Sequence, residues 1–161
     1  MSPPSTLSAV SGVDSEQPHC TPAITGGEAT DDERVAPAIV RLPYQSESVA
    51  AARRFVGAQL REWGLDDVVD DAAVIVSELA TNSLRTGCHT RMLVGLRHPA
   101  DHIVRILVGD GSRTMPVMLQ AGPDATSGRG LALVHRLTRG RWGVALLPHG
   151  KVVHADLAIP R

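Results

Sequence analysis

The sequence predicts an α+β fold, a two-layer sandwich whose mostly antiparallel mixed sheet is covered on one face by three helices. Strand-like runs come in pairs joined by short turns, which is typical of antiparallel hairpins. Three other segments carry apolar residues at helical spacing. The order of the elements, β-α-α-β-β-loop-α-β-β, lacks the repeated β-α-β units that build a parallel sheet.

The composition bounds the class of protein. The chain has 161 residues, 43% of them hydrophobic and only 2% aromatic, so one core of Val, Leu, Ile and Ala is expected. No run approaches the ~20 apolar residues of a membrane span. The N-terminus lacks the basic start and apolar run of a signal peptide, so a cytoplasmic location is expected. The two cysteines, Cys20 and Cys88, do not form a disulfide framework.

The charges are distributed unevenly along the chain. Residues 1–37 carry six acidic side chains and one arginine, and residues 1–35 are also rich in Pro, Ser, Thr and Gly. These residues are predicted to form a disordered acidic tail, followed by one folded domain at 36–161. The basic residues of that domain are scattered and few aromatic side chains accompany them, so no direct binding of nucleic acid is expected.

The first elements of the folded part are predicted from the prolines, glycines and capping residues at their ends. The proline-bounded "APAIVRLPY" from Ala36 is an edge strand. A helix follows, capped by Ser46 and ended by Gly64. A second helix starts near Asp66 and runs to about Arg85, with Gly87 as its stop signal.

Two hairpins and a third helix complete the predicted order. The runs "TRMLVGLRH" and "HIVRILVGD" pair through a Pro-Ala-Asp turn. A loop covers residues 112–127, and "GRGLALVHRLTRG" is a short helix between glycines. The runs "RWGVALL" and "KVVHADLAI" form the last hairpin around Pro148-His149-Gly150.

The second helix carries a polar stripe beside its apolar face. At 100° per residue the apolar face consists of Ala72, Ile75, Val76 and Leu79. The stripe along its rim consists of Asp71, Glu78, Asn82 and Arg85. Glu78 and Asn82 are one turn apart, so their side chains are neighbours.

This stripe has an ordinary and a functional interpretation, and the helical spacing leaves both open. Glu78 can pair with Arg85 at the surface, and Asn82 can bond a neighbouring backbone group. In a cleft, however, Asn82 could supply a neutral oxygen to Mg²⁺, and Glu78 could act as a general base.

Two glycine-containing segments follow the stripe. "ILVGDGSRTMP" ends a strand at Asp110, and an Asp-Gly there is commonly only a turn. "SGRGLAL" places Gly128 and Gly130 at a helix start, where backbone N–H groups can approach an anion. Neither is specific by itself, and the G-x-G-x-x-G dinucleotide fingerprint is absent.

Taken together and in order, these motifs form a specific set. "SELATNSLR", "VGDGSRTMP", "SGRGLALVHRLTRGRWGV" and "GKVVHADL" resemble the ATP-binding (Bergerat-type) fold of the GHKL ATPases, shared by gyrase, a heat-shock chaperone, histidine kinases and MutL. Within that fold the sequence is most similar to anti-sigma-factor serine/threonine kinases and to small bacterial ATP-binding regulators.

The resemblance implies a role for each matching residue. Asn82 would hold the Mg²⁺ that bridges the phosphates of ATP, and Glu78 would be the catalytic base. Asp110 would receive the adenine amino group. Gly128 and Gly130 would border the phosphates and a lid at residues 113–127. The nucleotide-binding set would also include Arg85, Ser112, Arg129 and Leu131.

The resemblance also implies a function and partners. The chain is expected to be a Mg-ATP-binding regulator that phosphorylates a partner-switching antagonist, with a sigma factor or that antagonist as its protein partner. A non-catalytic nucleotide-sensing module is the alternative. Such relatives often form homodimers. The chain departs from the common pattern at Thr86, where relatives often carry His, and at Ser112, where many carry Gly.

Overall fold

The computed structural model describes residues 36–86, 91–116 and 130–160, and in these ranges five strands form one sheet. The strand order is β1-β2-β3-β5-β4, and all four pairings between neighbours are antiparallel. The elements are β1 (Ala38–Pro43), α1 (Glu47–Glu62), a 3-10 turn (Asp66–Val68), α2 (Val69–Thr86), β2 (Arg91–Ala100), β3 (Ile103–Asp110), α3 (Gly130–Leu137), β4 (Trp142–Leu147) and β5 (Gly150–Ala158). The α+β fold and its predicted element order are confirmed.

The core lies between the helices and one face of the sheet. Buried aliphatic side chains of α1, α2 and α3 pack against alternate residues of β2, β3 and β5, as the period of two along a strand requires. The central cluster contains no aromatic side chain, and Tyr44, Phe55, Trp63 and Trp142 pack only at its edge. Burying each Val, Leu or Ile stabilises the fold by about 1.5–3 kcal/mol, so the cluster fixes α2 on the sheet.

Helix α1 ends as predicted but begins differently. Gly64 has a φ of 72°, and the bonds from Gly64 N to Arg61 O and from Leu65 N to Leu60 O close a Schellman motif. Ser46 is not the predicted side-chain cap, because its backbone is already helical and its hydroxyl makes no capping bond. Ser48 Oγ instead donates to Pro43 O at 2.7 Å and holds the turn between β1 and α1.

The hairpin of β2 and β3 turns later than predicted. Both Pro99 and Ala100 belong to β2, and the turn consists of Asp101 and His102. The register shifts between Arg97 and Ala100, where two residues of β2 face one of β3. Pro99 therefore lies at a bulge, where its missing N–H breaks no regular ladder bond.

Helix α3 and the last hairpin match their predicted positions. The C-terminal end of α3 is closed by bonds from Arg139 N to Arg136 O and from Gly140 N to His135 O, with positive φ at both donor residues. Leu147 pairs with Gly150 across the predicted turn. No helix in the described ranges is long and apolar enough to span a bilayer. The predicted tail, residues 1–35, and Gly87 lie outside the described residues.

Candidate functional site

A pocket of about 220 Å³ opens beside the C-terminal half of α2, where the ends of β3 and β5 meet the start of α3. One apolar side chain from each of these four elements lines its walls: Leu79, Val108, Leu131 and Val153. This volume is somewhat below the range of about 300–1,000 Å³ typical of small-molecule sites. The pocket therefore suits an apolar part of a ligand rather than a whole nucleotide.

Asn82 lies where the helical wheel places it, on the rim of the apolar face of α2 and in the wall of the pocket. Its side-chain Nδ2 is buried and has no hydrogen-bond partner among the described residues. The expected alternative, a bond from this amide to a neighbouring backbone group, is therefore not seen there. A buried amide without a partner costs about 1–3 kcal/mol, which is typical of a group that awaits a ligand.

The amide of Asn82 fits the magnesium ion that the family resemblance implies. Rotation of the carboxamide by half a turn exchanges Nδ2 for Oδ1, so either a donor or an oxygen can face the same space. A neutral amide oxygen is a suitable ligand for Mg²⁺, which completes its shell with phosphate oxygens and water. The role of Asn82 as metal ligand stays a prediction that this geometry accommodates.

Glu78 lies one turn before Asn82 and contacts the start of α3. A Cβ atom at Gly130 would overlap Glu78 Oε2 and would lie 2.9 Å from Glu78 Cδ. Glycine is thus required at 130 so that the carboxylate can approach the N-terminal end of the helix, where its charge is favoured. Among the described residues Glu78 makes no ion pair with Arg85, and it is not one of those that line the pocket.

Asp110 ends β3 with its side chain buried at the pocket, 2% of the residue being exposed. Its Oδ1 accepts a hydrogen bond from the backbone N–H of Ser112 at 2.8 Å. The Asp-Gly sequence thus forms a local side-chain turn, as the ordinary interpretation predicts. Asp110 also lines the cavity, so the turn and the binding role are compatible.

Lys151 is a site residue that the sequence reasoning missed. Its ammonium is buried, donates to Asp110 Oδ1 at 2.8 Å and forms an ion pair with that carboxylate. It also donates to Thr86 Oγ1 and to the carbonyl of Ser112, each at 3.2 Å. Lys151 is the only lysine in a chain whose other basic side chains are arginines, and this was the available signal.

Thr86 is the last residue of α2. Its Oγ1 accepts from Lys151 and donates to the backbone carbonyl of Asn82 at 3.1 Å. A single hydroxyl therefore links the last turn of α2 to the start of β5. At this position, where the resemblance implies a His, the threonine hydroxyl therefore accepts a hydrogen bond from the Lys151 ammonium.

The remaining predicted residues divide into three groups. Arg85 and Leu131 line the pocket, Arg85 exposed at its rim and Leu131 buried in its wall. Ser112 contacts Asp110 and Lys151 through its backbone, and its Oγ accepts from Thr114 N at 3.1 Å. Gly128, Arg129 and most of the predicted lid, residues 117–127, lie outside the described residues.

Comparison with known proteins identifies the family. The pattern of the histidine kinase-like ATPase domain matches residues 42–145, well over half of the chain. Among solved structures the chain is similar to the histidine kinase domain of a blue-light activated histidine kinase from Erythrobacter litoralis EL346, at 19% identity and a TM-score of 0.43. That alignment covers 84% of this chain and 66% of the other, slightly less than two thirds of its length. No curated protein matches.

The family match spans β1 to β4 and so includes α2, the end of β3 and the start of α3, which together surround the pocket. The chain belongs to the histidine kinase-like ATPase domain family, which supports ATP binding and a kinase-like or ATPase activity for it.

Proposed function

We propose that this chain is a Mg-ATP-binding regulatory protein that works as an anti-sigma-type serine/threonine kinase and phosphorylates a partner-switching antagonist. The observation that carries the proposal is the buried Nδ2 of Asn82, which has no hydrogen-bond partner among the described residues and lies in the wall of an apolar pocket that also includes Asp110. An unsatisfied polar group beside apolar walls and a buried carboxylate suits a ligand that is apolar at one part and ionic at another.

The positions of the pocket residues suggest which part of ATP each of them would contact. The adenine ring would lie between the apolar walls, with its amino group donating to Asp110. The phosphates would be held on the side of Asn82 and Arg85, near Gly130 at the start of α3, where the helix dipole favours anions. Gly128 and Arg129, which lie outside the described residues, are proposed as further phosphate neighbours. Bound magnesium would neutralise phosphate charge, and Asn82 is the residue that would hold it.

Glu78 would supply the acid–base chemistry of transfer. Its carboxylate would take the proton from a serine or threonine hydroxyl of the antagonist as that oxygen bonds to the γ-phosphorus. The bond from this phosphorus to the β–γ bridging oxygen would break, and ADP would leave. Reactions of this kind depend mostly on positioning and charge stabilisation, so one correctly placed base and a rigid phosphate site suffice.

The partner class rests on the resemblance of the α2, β3 and α3 motifs to anti-sigma kinases. A sigma factor, its antagonist or both would bind the chain, and a second copy could complete a homodimer. A cytoplasmic location would follow from such partners.

Calorimetry with ATP and Mg²⁺ tests the nucleotide site. The full chain is expected to bind, and Asn82→Ala is expected to weaken binding by about tenfold or more, because one buried ligand group is lost. Ser77→Ala is the matched control, since Ser77 lies on the same helix and its hydroxyl donates to the backbone carbonyl of Ala73. Equal heats for wild type and Asn82→Ala, or none for either, would refute the role of Asn82.

Transfer is tested with γ-labelled ATP and a purified antagonist of the anti-sigma type. Glu78→Gln is expected to keep nucleotide affinity and to lose transfer, because the amide cannot accept the proton. Glu62→Gln, on the exposed surface of α1, is the matched control. Unchanged transfer by Glu78→Gln would exclude Glu78 as the base.

A nucleotide-sensing module without turnover is the second candidate. It is favoured by the position of Glu78, which contacts Gly130 and is absent from the pocket lining within the described ranges. In this case ATP would order the site and change the affinity for a protein partner without being consumed. Binding of ATP with no hydrolysis and no transfer to any antagonist would favour this candidate over the kinase.

A further inference from the structure

The buried ammonium of Lys151 is fully satisfied by its surroundings. A lysine has three N–H donors, and the Asp110 carboxylate, the Thr86 hydroxyl and the Ser112 carbonyl supply one acceptor each. Only 2% of the lysine side chain and 1% of the aspartate side chain are exposed. A charge in such a place is costly unless it is paired and bonded on every side, so this arrangement restricts where the ammonium can lie.

The backbone places Lys151 beside Asp110. The two residues are direct partners in the β3–β5 register, so their side chains point to the same face of the sheet. Gly150, just before the lysine, allows the strands to approach closely, because a Cβ there would overlap the Asp110 carbonyl oxygen. The contact is thus built into the sheet and does not depend on a flexible loop.

Both fixed contacts of Asp110 reach the same oxygen. The Lys151 ammonium and the Ser112 N–H each donate to Oδ1, at 2.8 Å in both cases. Within the described part of the chain no hydrogen bond is made to Oδ2. An ionised carboxylate only accepts hydrogen bonds, so the remaining oxygen can take a donor from the ligand and rejects an acceptor.

We propose that Lys151 is a positioning residue for base selectivity, which fixes Oδ1 of Asp110 so that Oδ2 accepts the exocyclic amino group of a 6-aminopurine. This inference rests on the proposed function, since it assumes that the pocket holds the base of a nucleotide. A 6-oxopurine such as guanine would place a carbonyl oxygen against the carboxylate, and two acceptors repel. Thr86 supports the arrangement by holding the ammonium from the side of α2.

Base selectivity can be measured by calorimetry on the full chain with three Mg-nucleotides. They are ATP, GTP and purine riboside triphosphate, which has hydrogen in place of the 6-amino group. Wild type is expected to bind ATP at least about tenfold more tightly than the other two, because a hydrogen bond to a charged acceptor is lost in each. Lys151→Met is expected to weaken ATP binding and to change the affinity for purine riboside triphosphate less than about threefold. The ratio of the affinity for ATP to the affinity for purine riboside triphosphate should therefore approach one.

Arg105→Met is the matched control, because Arg105 forms a cross-strand ion pair with Asp156 on the same two strands at 2.7 Å, away from the pocket. It is expected to keep the wild-type ratio. Should Lys151→Met fail to fold, Thr86→Val tests the same point, because it removes one of the three acceptors and keeps the ammonium. A smaller fall of the same ratio is expected.

The outcomes separate this inference from the proposed function. If wild type binds no nucleotide, the proposed function and the inference both fail. If wild type binds ATP but does not discriminate, or if Lys151→Met weakens all three nucleotides equally, Lys151 is only structural. The inference is then overturned while ATP binding stands.

Discussion

The Glu78 carboxylate occupies the space where a side chain at residue 130 would begin. A Cβ on Gly130, the first residue of α3, would overlap one carboxylate oxygen of Glu78 and lie 2.9 Å from its Cδ. The helix that carries the polar stripe and the helix that starts after the glycine motif are therefore fitted to each other at one atom. Two motifs that are separate in the sequence thus form one structural unit.

Substitution Gly130→Ala is expected to destabilise the fold by about 1–3 kcal/mol, because the methyl group must displace Glu78 or the start of α3. Glu78→Ala in the same chain should remove most of that cost, so the two changes should be non-additive by about 1 kcal/mol or more in urea unfolding. Gly57→Ala is the control: its Cβ would meet the flexible Arg61 guanidinium at 3.1 Å. Simple additivity of the 78 and 130 changes would contradict the contact.

Substitution Gly150→Ala is expected to disturb the end of β3, because the added Cβ would overlap the Asp110 carbonyl oxygen and lie 3.2 Å from Gly111 Cα. These neighbours are backbone atoms that cannot rotate away, so a loss of about 1–3 kcal/mol is expected in thermal or urea unfolding. Gly95→Ala is the matched control within a strand, where the nearest atoms are at 3.6 Å. Similar losses for both variants would show that the close approach at Gly150 is unimportant.

Substitution Asn82→Leu is expected to raise stability in the absence of nucleotide by about 1 kcal/mol. It replaces a buried amide nitrogen, which has no hydrogen-bond partner in the part of the chain that the structure describes, by an apolar group. The same variant should lose ATP binding in calorimetry. Ser83→Ala is the control, since the adjacent buried hydroxyl contacts Tyr44 OH at 3.3 Å and its removal should not stabilise the fold. A less stable Asn82→Leu chain would indicate that the amide already has a partner.

His154 makes stability depend on pH. Burial, and next the charge of Arg105, lower the pKa of His154, while Asp156 opposes the shift. The unfolded chain therefore binds a proton at this residue more readily than the folded chain. Well above the ordinary pKa of about 6.5, His154 is neutral in both states and does not affect the free energy of unfolding. Stability falls as the pH drops from there towards the folded pKa, and the penalty is complete below it.

Urea unfolding between about pH 7.5 and 5 measures this effect. Wild type should lose more stability over that range than His154→Gln, because the variant has no imidazole to protonate. His102→Gln, in the exposed turn between β2 and β3, is the control and should follow wild type. A His154→Gln variant with the full wild-type pH dependence would exclude this residue as the source.

The fold could be predicted because its signals are local. The face of α2 follows from spacing within one helix, and Ile75, Val76 and Leu79 are buried where the wheel places them. The hairpins follow from paired strand-like runs. Two predictions at the ends of elements were wrong for reasons beyond local propensity. Ser46 does not cap α1 because its backbone is already helical, and the β2–β3 turn lies later because a bulge accommodates Pro99 within β2.

The site could be predicted only where its residues form motifs. Asn82, Asp110 and Leu131 belong to recognisable stretches and do line one pocket, although their roles stay predictions. Lys151 could not be predicted because its partners are distant in the sequence. Asp110 lies 41 positions before it and Thr86 lies 65 positions before it. Such a pairing is set by the register of β3 and β5, which spacing along the chain does not reveal.

The solitary lysine has a practical consequence for measuring motions of the site. Apart from the α-amino group, Lys151 carries the only primary amine of the chain, and that amine is enclosed by three acceptors. An acylating reagent can therefore modify it only when the contacts between β3, β5 and the end of α2 separate. The rate at which a second acyl group appears in mass spectrometry would therefore measure how often the contacts around Lys151 open. No introduced probe is needed.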